Sequence, residues 1–423
     1  MSREMIFSEN EYDRMNYLMT AIMDAGELLA MHGAEVSRVE DTITRLCMAY
    51  GFVRADVFTI TSSIIVTAML SDGRTMTQTR RIRTRTTDLE KVAKVNELSR
   101  RICADPAGLN ELKAGLDAIK NGKRISVGLE LAMHMMIASS LSVFFGGTLM
   151  DGIAAALSGA ILYATLHGSA VLRLNTIIQN MFCSAVTAIS VLLLVRAGIG
   201  VQPDKIMIGD IMLVIPGLQL TNSLRDMING DMISGLLNMS EALLKGCCIS
   251  HRLCRCYHFG RGNMSFSVIQ TIMGMIGSVG FAVLFGVRGR KLAVIALGSG
   301  AGWAVYLVCR AMGCSIFTGL LAASLFVAAL SEVLARMLRT PVILLLVPML
   351  IPEVPGEALY YTMYYLVQGY QEKFGTYSGL VLTEAGAIAL GIILASHMAR
   401  FFLSLKSHLR SRGNKKRESN RRI

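Results

Sequence analysis

The sequence predicts a multi-span α-helical membrane protein, with about ten transmembrane helices arranged as a 5+5 inverted repeat behind a small cytoplasmic α+β domain. Three observations predict this. Of 423 residues, 53% are hydrophobic and 17% charged, with a mean hydropathy of +0.50, whereas soluble domains carry about 25% charge. From Val127 onward, apolar segments follow in quick succession. Short motifs of the first set then recur in the second, in the same order.

Residues 1–122 contain no run long enough to span a bilayer, and the acidic N-terminus predicts no cleavable signal peptide. Helical apolar spacing runs from Glu11 to Met31 (Tyr17, Leu18, Ala21, Ile22, Leu28, Leu29) and stops at His32-Gly33. It resumes from Glu35 to Tyr50 with Val36, Val39, Ile43, Leu46 and Cys47. Ala55 to Leu70 is rich in Val, Ile, Thr and Phe. The Ser71-Asp72-Gly73 turn and the alternation from Thr75 to Arg83 then predict a hairpin. Asp88 caps a helix through Ile102, and Pro106-Ala107-Gly108 opens another that reaches the membrane near Lys123. The most distinctive string is His32-Gly33-Ala34-Glu35-Val36-Ser37-Arg38-Val39-Glu40. A hydrolytic site could use His32, Glu35 and Ser37, but no phosphate loop or metal-ligand spacing supports one. A helix–turn–helix junction with a regulatory role against the membrane domain is the preferred reading.

The first membrane repeat, with a central loop, occupies 123–262, the second 263–400, and a basic cytoplasmic tail 401–423. Spans are expected at 127–147, 150–166, 174–198, 206–224 and 232–250, then at 264–286, 292–309, 314–337, 341–370 and 376–399, each near the roughly 20 residues that cross a hydrocarbon core. Val143-Phe144-Phe145-Gly146 matches Val283-Leu284-Phe285-Gly286, and Ser158-Gly159-Ala160 matches Ser299-Gly300-Ala301. Pro216-Gly217 matches Pro355-Gly356, Gly230 matches Gly369, Ser234-Gly235-Leu236 matches Ser378-Gly379-Leu380, and Glu241-Ala242 matches Glu384-Ala385. Five spans per copy invert the second copy, as in secondary transporters. Eight basic residues between Lys406 and Arg422, with further ones at the expected inner loops, place both termini in the cytoplasm. The central connection, with Lys245, Arg252, Arg255 and Arg261, violates that rule. If 232–250 lay on the membrane instead of crossing it, the repeat would be parallel.

No basic stripe interleaved with aromatics supports nucleic-acid binding. Nine cysteines do not form a secreted framework. Cys247, Cys248, Cys254 and Cys256, with His251 and His258, match no usual zinc spacing, so no metal or cofactor is expected. Paired Pro/Gly breaks in membrane segments point to a transporter's binding site. They occur here at Pro216-Gly217 and at Pro352-Glu353-Val354-Pro355-Gly356-Glu357, with Thr221, Asn222, Glu353 and Glu357 able to meet an amine or hydroxyl. Ionisable groups inside spans are candidates for proton coupling, here Glu241 and Glu384, one per repeat, and Asp210. Arg225, Asp226 and Asp231 flank the first break. Glu130 and His134, like Glu332 and Arg336, share a helix face. Tyr360, Tyr361, Tyr364 and Tyr365 are expected in an interfacial belt.

Several strings resemble the bacterial threonine/serine exporters. They are His32-Gly33-Ala34-Glu35, Ser37-Arg38-Val39-Glu40 and the Arg80–Asn96 region, then Pro216-Gly217, Thr221-Asn222, Arg225-Asp226, Gly230-Asp231, Ser234-Gly235 and Glu241-Ala242. Phe285-Gly286-Val287 and Pro355-Gly356 resemble the family's small C-terminal module, here fused to the first. The resemblance implies an inner-membrane exporter, not an enzyme, of small hydrophilic metabolites driven by the proton gradient. Hydroxy amino acids of the threonine/serine type are the first expected substrates and small dicarboxylates such as succinate the alternative. A membrane-anchored hydrolase or sensor is the rival from another class. The expected partners are a small-molecule substrate, protons and the bilayer. The oligomeric state, a homo-oligomer included, is left open.

Overall fold

The computed structural model describes residues 9–106, 108–122, 125–170, 176–214, 217–228, 230–249 and 264–421. Pro216 and residues 250–263 fall outside it, as do the side chains of Cys247 and Cys248, so the central cysteine–histidine cluster lies outside the described residues.

The N-terminal domain consists of α1 (Glu9–Met31), α2 (Val36–Ala49), β1 (Arg54–Ile60), β2 (Ser63–Met69), β3 (Thr75–Arg81), α3 (Leu89–Ala104) and α4 (Leu109–Lys120). The expected single strand from Ala55 to Leu70 is two strands. A two-residue turn at Thr61-Ser62 folds β1 back on β2, with Ile60 opposite Ser63 and Val57 opposite Val66. Two polar residues suffice to reverse the chain there, without the Gly, Asn or Asp that announces a turn in sequence. The antiparallel order β1-β2-β3 turns Ile64, Val66 and Ala68 of the central strand inward. They bury against Met19, Ile22 and Leu29 of α1, Ile43 and Leu46 of α2, and Val92 and Ile102 of α3. The Asp88 carboxylate accepts the Lys91 N–H at 3.1 Å, satisfying one of the open donors at the start of α3.

Beyond it lie α5 (Val127–Phe144), α6 (Leu149–Ala170), α7 (Thr176–Arg196), α8 (Pro203–Ile211), α9 (Gly217–Ile228) and α10 (Met232–Ile249). The second half contains α11 (Met264–Leu284), α12 (Arg290–Ala311), α13 (Ile316–Met337), α14 (Ile343–Met349), a 3₁₀ turn (Ile351–Glu353), α15 (Gly356–Val367) and α16 (Gln371–Arg421). Among the described residues seven helices are long and apolar enough to cross a bilayer: α5, α6, α7, α11, α12, α13 and the first 29 residues of α16. The pair 343–349 and 351–367, bent by 43°, makes an eighth crossing if it is one broken span. They expose large apolar side chains, among them Leu193 and Leu297 at 61% and 68%, a surface suited to lipid. The chain is thus a multi-span α-helical membrane protein. Where ten spans were expected, 206–224 is two short helices of 9 and 12 residues, and α10 is not among the long apolar set.

Packing within the first half recurs in the second. α5 lies on α6 and α8, α6 on α7 and α8, and α7 on α10. Likewise α11 lies on α12 and α14, α12 on α13 and α14, and α13 on α16. Between the halves α5 runs along α11, while α9 meets α16 and α10 meets α15. Gly146 and Gly286 end corresponding helices at φ +100° and +85°, and Gly230 and Gly369 do so at +102° and +74°. Left-handed backbone of this kind favours glycine at a helix stop. Tyr360 and Tyr364, expected at an interface with headgroups, are instead buried at 6% and 9%. The Tyr361 and Tyr365 rings both pack at a tilt on Tyr377 and tie α15 to α16.

In α1, Gly26 lets α2 approach so closely that an added Cβ would stand 2.5 Å from Ile43 Cδ1. Gly26→Val is expected to overpack this contact by about 1–3 kcal/mol, read as a lower Tm of the N-terminal domain in detergent.

Candidate functional site

Prolines break the fourth segment of the second half. Pro348 lies inside α14, Pro352 in the 3₁₀ turn, and Val354 is extended. Pro355 (φ −72°, ψ 53°) makes an inverse γ-turn, with the Gly356 N–H on Val354 O at 2.7 Å, before α15 begins. In the first half α8 ends at Ile211 and α9 begins at Gly217. The two interrupted segments meet. Gly356 packs so tightly on Met212 that a Cβ would overlap its sulfur. Lys205 Nζ reaches Glu357 Oε1 at 2.8 Å, and the Tyr361 hydroxyl donates to Asp204 at 3.3 Å, both joining α8 to α15. Phe144, Trp303, Ile351 and Met212 form one apolar cluster beneath them, with the Phe144 and Trp303 rings 4.7 Å apart.

Polar atoms are buried around this junction. Asp210 has no exposed surface; its Oδ2 accepts from the Ser158 hydroxyl at 2.5 Å, and Oδ1 has no hydrogen-bond partner among the described residues. Glu353 is 3% exposed and neither carboxylate oxygen has such a partner, nor do Trp303 Nε1 and Ser142 Oγ. Native interiors leave few groups in this condition because each costs about 1–3 kcal/mol. Among the described residues others lie away from the breaks, as at Tyr50, Thr61, Ser184 and Thr340, but the only carboxylate oxygens in this condition are those of Asp210 and Glu353. Glu384, half-buried on α16, lies within electrostatic reach of Glu357 and Tyr306. Thr221 is buried in α9 and Asn222 half-buried beside it. Glu332 and Arg336 form the expected pair at 2.8 Å, whereas Glu130 lies 3.8 Å from His167 on α6.

Arg225 and Asp226, expected near the solute, are placed instead against the N-terminal domain. Arg225, with its side chain 6% exposed, lies 3.3 Å from Glu35 and 4.0 Å from Asp226. Arg85 donates to Asn238 on α10 at 3.1 Å and lies within electrostatic reach of Glu241 and Asp226. The Ser234 hydroxyl donates to Thr59 O at 3.3 Å, and the Thr59 N–H donates to Glu40 at 2.8 Å. His32 shares a hydrogen bond with Leu28 O at 2.8 Å, and Gly33 turns the chain at φ +92°. Half-buried Arg38 follows in α2. The distinctive N-terminal string and the Arg225–Asp231 string therefore face each other in one seam. Sequence reasoning missed Arg85, Asn238, Thr59 and Lys205. The Arg/Thr alternation around Arg85 reads as strand, and its partner lies 153 residues away.

Burial raises the Glu40 carboxyl above its ordinary 4.5, the Thr59 N–H works against this, and the Asp231 charge adds to it. The folded state then holds the proton more tightly than the unfolded one. Stability is lost as pH rises from 4.5 through the folded-state value. Glu40→Gln is expected to remove that loss, so its Tm gains on the wild type between pH 4.5 and neutrality. Glu35→Ala leaves buried Arg225 with only the longer 4.0 Å contact to Asp226 and is expected to weaken the seam by about 2 kcal/mol, seen as faster proteolysis of the N-terminal domain. The added change Arg225→Ala recovers part of the loss.

Comparison with known proteins places the chain in a family. The family described as "Putative threonine/serine exporter" matches residues 20–251, and "Threonine/Serine exporter, ThrE" matches 270–398. A threonine/serine exporter of Corynebacterium glutamicum is 22% identical over 412 residues, covering 92% of this chain and 84% of its own. A probable threonine/serine exporter of Mycobacterium tuberculosis is 23% identical over 51% of this chain and 41% of its own length. The probable succinate transporter subunit YjjP of Escherichia coli is 25% identical over 52% of this chain and 86% of its own. No solved structure matches. With its two family modules in sequence on one polypeptide, the chain belongs to the threonine/serine exporter family, whose members are transporters and not enzymes.

Proposed function

We propose that this chain is a secondary active exporter of small hydrophilic metabolites, threonine/serine-type amino acids first, driven by the proton gradient, with the solute held between the two breaks. The observation that carries this reading is the meeting of the interrupted segments, Gly356 on Met212, with buried polar atoms of Asp210, Glu353, Trp303 and Ser142 around them. The half-helices opening at Gly217 and Gly356 direct N–H groups and a positive dipole end toward a carboxylate. Glu357, held by Lys205, and Thr221 with Asn222 are suited to an amine or hydroxyl. Glu384 and Asp210 are acids inside the spans, while Glu241, Arg225 and Asp226 lie toward the seam and control access from that side.

The same geometry supports ten crossings with both termini in the cytoplasm of an inner (plasma) membrane. The N-terminal domain meets the membrane region at three places: residues 225–238, the Phe285–Arg288 connection and α14. If all three face one side, α8 and α9 make one broken crossing. α10 must then leave that side for α11 to return to it, and the two halves have opposite orientation. Basic residues of the tail belong on the same side.

The names of the Corynebacterium and Mycobacterium relatives favour hydroxy amino acids, and that of the Escherichia relative favours small dicarboxylates as the second reading. Inverted vesicles carrying the protein are expected to take up labelled threonine or serine when a proton gradient is imposed, and to lose that uptake when it is collapsed. Gradient-driven uptake of succinate alone selects the dicarboxylate reading, and uptake of none of the three removes both.

A further inference from the structure

We infer that Glu353 is the acid that carries the coupled proton, and that Gly302 provides the space in which it does so. The inference rests on the proton-driven reading above and names the residue that reading requires. Glu353 ends the 3₁₀ turn between Pro352 and Val354-Pro355, on the break itself, so it can move without unwinding a helix. It is 3% exposed, and neither oxygen has a hydrogen-bond partner among the described residues. A Cβ on Gly302 would come within 2.9 Å of Glu353 Oε1 and would overlap Val327, so the carboxyl fills the room that a glycine leaves in α12. One turn earlier Gly298 is filled by Met349, which makes that wall apolar.

Among the described residues no hydrogen bond or ion pair reaches it. The elements packed most closely on the 3₁₀ turn are α11, α12, α13 and α14, with Phe144 of α5 and Met212 beside its Ile351, and on α15 Glu357 is taken up by Lys205 at 2.8 Å. α11 and α14 contain no charged residue. Those of α12 lie toward its ends. Arg290 and Lys291 are more than two turns before Gly302, and Arg310 is about 12 Å beyond it and donates to Cys314 O. The titratable Tyr306, one turn beyond Gly302, stacks on Trp303. On α13, Glu332 and Arg336 satisfy each other at 2.8 Å. A carboxylate ion with neither partner nor counter-charge is not sustained in such surroundings, whereas the neutral acid is.

The other candidate acids differ in this respect. Asp210 is held by the Ser158 hydroxyl, Glu241 lies within reach of Arg85, and Glu384 is half-buried within reach of Glu357. Glu353 thus holds its proton while the junction is closed. It releases it when movement of the two breaks brings it to water, which ties proton transfer to the step that moves the solute.

Two measurements on the full chain in proteoliposomes test this. Dicyclohexylcarbodiimide reacts with protonated carboxyls in apolar surroundings, and mass spectrometry locates the adduct. Labelling at Glu353 that falls as pH rises is expected, and none at Glu353 at any pH overturns the inference whatever the solute. In Glu353→Gln the ratio of gradient-driven threonine accumulation to threonine–threonine exchange is expected to drop about ten-fold or more, with part of it restored in Glu353→Asp. An equal fall in both activities, or no fall in either, assigns Glu353 a structural role and overturns it. Gly302→Ala, which crowds the carboxyl without removing it, is expected to shift the pH profile of exchange, and an unshifted profile removes the role given to Gly302. If the wild type accumulates no threonine, serine or succinate, the transport reading fails, and the labelling still decides whether Glu353 binds a proton.

Discussion

A backbone that leaves the helical path inside a bilayer must find protein or water for its freed N–H and C=O groups. In this chain the bent pair 343–349 and 351–367 has such an interruption, and Met212, just past α8, lies against it. Gly356 can lie on Met212 because it has no side chain, and Lys205 and Asp204 of the first half then reach Glu357 and Tyr361 of the second. The long apolar helices are arranged around that junction. α5 and α11 run along one another beside it, and α6, α7, α12 and α13 pack in corresponding order with broad apolar surface left for lipid.

The two segments that meet at the junction differ in charge. Taking the offset between the two Pro-Gly pairs, Asp210 corresponds to Met349 and Glu353 to Val214. Asp210 and Glu353 therefore stand at non-equivalent positions and in different company, and the second half adds Glu357 just past its break. Ser158 supplies a hydrogen bond to Asp210, while Gly302 and Val327 supply Glu353 with room and no polar atom. Two copies with identical acids would present two similar proton sites. This pair separates a hydrogen-bonded acid from one with no hydrogen-bond partner among the described residues.

Helical periodicity and stop signals in the N-terminal half placed α1, α2 and the Asp88-capped α3 within a few residues of their observed bounds, because each buries a continuous stripe against one core. The Thr61-Ser62 turn was illegible, since nothing in two hydroxyl residues between β-branched runs demands reversal. The recurrence of Pro-Gly located both breaks, but not the lengths of the helices around them. What α8, α9 and α10 bury is decided by neighbours far away in sequence. The same applies to the charges. Glu35 and Arg225 each stand out locally as candidates, yet no local pattern says that they pair at 3.3 Å. Lys205 and Arg85 were passed over because a lone cation near a segment end reads as solvated until its partner is seen.

The N-terminal domain is fastened to both halves. Glu35 holds Arg225 in the first, while in the second the Leu89 N–H donates to Phe285 O at 3.0 Å, Gly286 lies against Asp88, and Glu90 is 4.0 Å from Arg288. A domain attached to both halves acts as a tie-bar: any rocking of one half against the other must bend the bar or release an attachment. Whatever tightens or loosens that grip acts on both halves from outside the bilayer, without altering a residue of the junction.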